Sequence, residues 1–169
     1  RAVHSEQPHV PIAAHLSDAI SAVAAAPDLR AKAMLILAWT TTARFGDVAQ
    51  LQCGDVRICE ATAAPPGFNV QVAFKRHKTA WVRDPHTCNA WLSAEWAAVL
   101  RPLLQRAPES PLFPRCETLA TKEAAQALKA VNPQLEARSI RRGALQAMAA
   151  EGASYELICS NFSRHAKID

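Results

Sequence analysis

From residue 12 the apolar positions fall into helical register. Ile12, Leu16, Ile20 and Val23 are spaced by four, four and three, which predicts a first helix over residues 12–26 with that stripe as its apolar face. Pro27-Asp28 ends it and opens a second helix, 28–43. This second segment is apolar almost all round from Ala33 to Trp39, which marks it as the buried centre of a domain. Polarity returns at Thr40-Thr-Thr. Gly46-Asp47 then opens a short helix to Gln52, and Cys53-Gly54-Asp55 makes a turn into the alternating pair Val56 and Ile58.

The pattern then changes period. Phe68-Asn-Val-Gln-Val-Ala-Phe74 alternates apolar and polar positions and reads as a strand, and Trp81-Val-Arg reads as another beyond the basic tetrad Lys75-Arg76-His77-Lys78. Pro65-Pro66-Gly67 joins the first two strands, and the tetrad lies on the connection between the second and third. Helical spacing resumes over 94–105, 121–131, 139–151 and 155–163, broken by Pro108, Pro111, Pro114 and Pro133. The expected class is α+β: a mostly helical domain with one small three-stranded antiparallel sheet. Residues 1–11 carry breaks and no periodicity, so they read as a linker from an upstream domain, and 12–169 as the domain itself.

Composition narrows the classes without choosing among them. A chain of 169 residues, 50% hydrophobic and 20% charged, has enough apolar material for one core, which excludes disorder and fibre. The longest apolar run, from Ala33 to Trp39, is far short of the roughly 20 residues that cross a bilayer. The opening Arg1-Ala-Val-His holds no apolar leader and does not begin with Met, which reads as a fragment or a processed product. Five scattered cysteines with no CxxC pair fit reduced thiols in an intracellular protein. His77, His86 and Cys88 lack a fourth ligand at motif spacing, so no metal site is expected. The net charge of +4 permits a polyanionic partner without requiring one, and the position of the charge has to decide.

Three basic groups stand out. Arg44 precedes Asp47 by three residues, a spacing at which the carboxylate would brace the guanidinium on a helix. The tetrad Lys75, Arg76, His77 and Lys78 puts up to four cations on one connection. In Arg138-Ser-Ile-Arg141-Arg142-Gly143, three arginines crowd the start of a helix. Cations at a helix N-terminus oppose its dipole at about 0.3–1 kcal/mol each, so the cluster invites an anion such as phosphate. Taken singly, an ordinary helix-surface ion pair is the plainer account of Arg44, a solvated turn stands level with a phosphate contact for the tetrad, and a phosphate site is the better account of the Arg138 cluster. The four tryptophans read as packing groups, since they do not interleave with the basic clusters.

Taken in order, these pieces resemble the catalytic domain of the tyrosine recombinases, the phage-integrase family, whose chemistry is similar to that of type IB topoisomerases. Thr42-Ala-Arg44-Phe-Gly-Asp47-Val-Ala-Gln-Leu51 resembles the family's first-arginine motif, and Leu51-Gln-Cys-Gly-Asp55-Val its helix exit into the first strand. Lys78 in Lys78-Thr79 resembles the hairpin lysine, with Lys75 as the other possibility. Ser110-Pro-Leu-Phe-Pro114 looks like the Leu-Phe-Pro stretch, Arg138-Ser-Ile-Arg141-Arg142 the His-x-Leu-Arg-His box, and Phe162-Ser-Arg-His165 the Leu-Gly-His box. The likeness runs from about Ile12 to His165. Arg138 and Arg142 stand where the family usually has histidines.

The resemblance implies strand cleavage and rejoining of double-stranded DNA through a 3′-phosphotyrosyl link, on a mobile element, by a synaptic multimer and without a cofactor. Arg44 and Arg141 would clamp the phosphate, Lys78 would protonate the leaving oxygen, and His165 would add a hydrogen bond. Arg138 would add charge, Asp47 would support Arg44, and Lys75, Arg76, His77 and Arg142 would touch the DNA. Tyr155, the one tyrosine, precedes His165 and is out of register for the nucleophile, and the sequence ends four residues after His165. Either the complete protein carries the nucleophile further on, or this is a DNA-binding module that does not cut. A helical protein–protein adaptor is the third reading.

Overall fold

The computed structural model describes residues 9–61, 67–75, 86–114 and 117–152. Among them lie six α-helices and a sheet in the order β1-β2-β3. The helices are α1 (Leu16–Ala25), α2 (Leu29–Thr41), α3 (Phe45–Ala49), α4 (Ala94–Leu100), α5 (Glu117–Val131) and α6 (Ala137–Ala150). The strands are β1 (Val56–Glu60), β2 (Phe68–Phe74) and β3 (His86–Leu92), antiparallel throughout. The class is therefore α+β, as the pattern of the sequence predicts.

Helix α2 is the hub. It packs against α1, α3, α4, α5, α6 and β3, which its nearly unbroken apolar surface requires. Ala33, Met34, Leu35, Ile36, Leu37 and Ala38 are all fully buried. Its start is set by Asp28, whose Oδ1 accepts from Ala31 N–H at 2.9 Å. Lys32 on its first turn reaches back to the carbonyls of Val23 and Ala24, at 2.6 and 3.3 Å, and so satisfies the end of α1.

Helix α1 departs from the expected pattern twice. It begins at Leu16 rather than residue 12, with His15 in extended backbone as its N-cap, and ahead of it Ala14 N–H donates to the Ser139 carbonyl of α6 at 3.0 Å. Its buried face is Ala19, Ala22 and Val23, while Ile12, Leu16 and Ile20 are 41%, 50% and 49% exposed. The small residues win because α1 packs on α5, which buries Ala120, Ala124 and Ala127. Alanines on both sides let two helices approach closely and gain dispersion contacts along their length, which larger side chains would prevent.

The third strand among the described residues is β3, and the expected run Trp81-Val-Arg falls in residues 76–85, outside those described. Along β3 the burial alternates, with His86, Cys88 and Leu92 inward and Thr87, Asn89 and Trp91 outward. A histidine and a cysteine are weak markers of an apolar face, so the alternation is muted in the sequence. Inside, Cys88 Sγ lies 3.5 Å from His86 Nε2, and the His86 ring packs against Phe74 at 6.0 Å between centroids. The expected helix over 155–163 also falls outside the described residues.

Candidate functional site

Arg44 sits at a chain reversal built by threonines. Thr40 Oγ1 donates to the Ile36 carbonyl at 2.9 Å and Thr41 Oγ1 to that of Leu37 at 2.6 Å, which closes the last turn of α2. Thr41 Oγ1 also accepts from Ala43 N–H at 3.3 Å. Between them Thr42 adopts φ 60° and ψ 17°, the left-handed region, with its side chain fully buried. A β-branched residue is seldom found there, and it turns the chain sharply away from α2. Arg44 follows in extended backbone and caps α3, its carbonyl accepting from Asp47 and Val48 N–H. Its side chain is exposed.

Arg44 is the N-cap of α3 and Asp47 its third helical residue, and Asp47 is engaged in an interaction of its own. Asp47 also lines a cavity of about 240 Å³ with Gln50, Leu51, Gln52, Asp55, Phe74 and Lys75.

Lys75, the first residue of the basic tetrad, is tied down at this cavity. Its Nζ lies 2.9 Å from Asp55 Oδ1, where the Asp55 side chain is 5% exposed and that of Lys75 is 42%. Asp55 Oδ2 accepts from Gln52 N–H at 2.8 Å. The segment around Leu112 and Phe113, both buried, buttresses this corner from behind. Leu112 N–H donates to the Leu51 carbonyl, Cys53 N–H to that of Ser110, and Gly54 N–H to that of Pro108. Sequence reasoning missed the role of Asp55, whose only visible signal is a Gly-Asp turn. Arg76, His77, Lys78 and His165 lie outside the described residues.

The arginine cluster of α6 resolves into three different settings. Arg138 is exposed and already paired, with its Nε and Nη2 at 3.0 and 2.9 Å from Glu136 Oε1. Glu136 is the N-cap residue of α6, and its Oε2 also meets His9 Nε2 at 3.0 Å. The hydrogen bond from His9 and the Arg138 guanidinium lower the Glu136 pKa from the ordinary glutamate value, against a smaller opposing effect of desolvation. The chain itself thus supplies one anion at this helix start, which relieves part of the repulsion the three arginines imply. Arg141 is half-buried and engaged in an interaction of its own, and Arg142 is half-buried with Nε out of solvent and without a hydrogen-bond partner.

Two further features hold α6 in place. Glu136 N–H donates to Ser139 Oγ at 3.0 Å, a cap that puts the buried Ser139 at the helix start. Gly143 faces the segment ahead of α1, where an added Cβ would come within 1.9 Å of the Ala14 carbonyl oxygen. Helix α3, which Arg44 caps, and helix α6, which bears Arg141, both pack on α2. Among the described residues no cluster of three or more His, Cys, Asp or Glu stands ready for a metal ion, and no helix is long and apolar enough to cross a membrane.

No protein-family model and no curated protein matches the sequence. Solved structures do. The crystal structure of XerA recombinase superposes with a TM-score of 0.65 at 15% identity, over 95% of this chain and 58% of that one. FLP recombinase in its Holliday junction complex superposes with a TM-score of 0.55 at 10% identity, over 90% of this chain and 43% of that one. The chain therefore spans less than two thirds of either recombinase. The architecture is a tyrosine-recombinase-like fold.

Proposed function

We propose that this chain is the catalytic domain of a site-specific DNA recombinase or integrase that cleaves and rejoins double-stranded DNA through a 3′-phosphotyrosyl intermediate. The observation that carries the reading is the fold likeness to two recombinases across nearly the whole chain, joined to arginines at the start of α3 and the first turns of α6. Attack by a tyrosine on a phosphodiester puts charge on a pentavalent phosphorus and needs fixed cationic donors around it. Arg44 and Arg141 clamp the non-bridging oxygens with forked donors. Lys78 protonates the leaving 5′-oxygen, and His165 adds a hydrogen bond to the phosphate.

Arg138, occupied by Glu136, adds positive charge at the rim of the site rather than a clamp. Arg76, His77 and Arg142 approach the duplex, and several copies assemble on DNA into a synapse. Asp47, at the cavity wall, supports Arg44. The nucleophile is not Tyr155. The test is a denaturing gel of the full-length protein with supercoiled plasmid: a covalent protein–DNA adduct is expected. Salt-sensitive duplex binding with no adduct would favour a non-cutting binding module, and salt-insensitive binding to a protein partner alone would favour an adaptor.

A further inference from the structure

Lys75 is the cation of the basic connection that lies among the described residues, and it is paired. Its ammonium meets Asp55 Oδ1 at 2.9 Å, and Asp55 is almost completely out of water, held on its other oxygen by Gln52 N–H. The asymmetry fixes the pairing. Lys75 is part-exposed and would lose less by leaving, but a buried carboxylate without its cation is strongly destabilising. The pair bridges two elements adjacent in space but about twenty residues apart in sequence: the turn that leaves α3 and the end of β2. Both residues, with Asp47, line the same cavity beside the Arg44 elbow.

We infer that Asp55 is a positioning residue, which holds Lys75 as an internal strut and so fixes the point from which the basic connection leaves the sheet. Lys75 is then not a DNA contact and not the general acid. Its charge is spent on Asp55, and residues 76–78 begin their path from an anchored end. The catalytic part of this inference rests on the recombinase reading, while the strut itself does not.

The experiment compares wild type, Lys75→Met, Asp55→Asn and the double variant for duplex DNA affinity across a salt series. Asn keeps the shape of Asp55 and can still accept from Gln52, so the fold is preserved. Lys75→Met is expected to leave affinity within about twofold and the salt slope unchanged. Asp55→Asn releases an ammonium, so it tightens binding and steepens the slope by about one, and the double variant returns to the Lys75→Met values. In the full-length protein, Asp55→Asn lowers the rate of covalent adduct formation while binding tightens, a split that simple loss of folding would not produce.

A Lys75→Met slope shallower by about one, with Asp55→Asn inert, overturns the strut. Adduct formation at the wild-type rate in Asp55→Asn overturns the positioning role. Should the wild type neither bind nor cut DNA, the recombinase reading fails, and thermal unfolding of the same four proteins decides the strut: non-additive losses support it and additive losses overturn it.

Discussion

Gly143 of α6 lies against the backbone of Ala14 so closely that a Cβ added to it would stand 1.9 Å from the Ala14 carbonyl oxygen. One turn earlier, the Ser139 carbonyl accepts from Ala14 N–H at 3.0 Å. The start of the domain is thereby strapped to the helix that bears Arg138, Arg141 and Arg142. On propensity alone, Gly143→Ala would stabilise a helix interior by about 1 kcal/mol. Here the sign reverses, because α6 has to move off its neighbour. Chemical denaturation should show a loss of about 1–3 kcal/mol, and a gain would mean the two segments are not in contact in solution.

Thr42 makes the opposite case. A buried, β-branched residue at φ 60° opposes its own backbone preference, and its Oγ1 is out of water without a hydrogen-bond partner. Thr42→Gly should raise stability by about 1 kcal/mol, offset in part by the greater chain entropy of glycine. Urea unfolding checks this, and a clear loss of stability would show that the threonine methyl packs better than its backbone suffers.

Arg141→Ala in the full-length protein is expected to abolish covalent adduct formation and to leave duplex affinity within about tenfold, the effect of one phosphate contact. Loss of a single preorganised donor to a developing oxyanion costs about 2.7–4 kcal/mol of transition-state stabilisation. Filter binding and adduct gels on the same preparation separate the two quantities. Equal loss in both would leave Arg141 a binding residue only.

The pairing at the start of α6 is acid-sensitive in a definite direction. Because the folded-state pKa of Glu136 is lowered by His9 and Arg138, its contribution to stability is present above the ordinary glutamate value of 4.5 and is lost as pH falls through the lowered one. The carboxylate is close to the surface, so the effect is small and screened by salt. Melting curves from pH 7 to pH 3 should converge for wild type and Glu136→Gln at the acid end and separate, with wild type higher, above it. Parallel curves would show that Glu136 is unpaired in solution.

Much of this architecture is legible along the chain because it depends on local spacing. The near-continuous apolar stretch of α2 has no stable place except a core, and it becomes the hub. The alternation of β2 fits its place as the central strand, and Asp28 and the breaks around Pro133 mark helix ends that depend on near neighbours. Periodicity, however, reports only that a segment has two faces. Which face of α1 turns inward is settled by α5, whose alanines favour close approach over the larger Leu16 and Ile20.

The site divides in the same way. Arg44, Lys75 and the arginines of α6 are visible as charges at telling positions, because charge and helix starts are local properties. Their partners are not. Asp55 finds Lys75, twenty residues further along, at the end of the central strand. Electrostatic pairing acts through space over a few ångströms, and only the packing of α2 against its neighbours decides which residues distant along the chain come within that range.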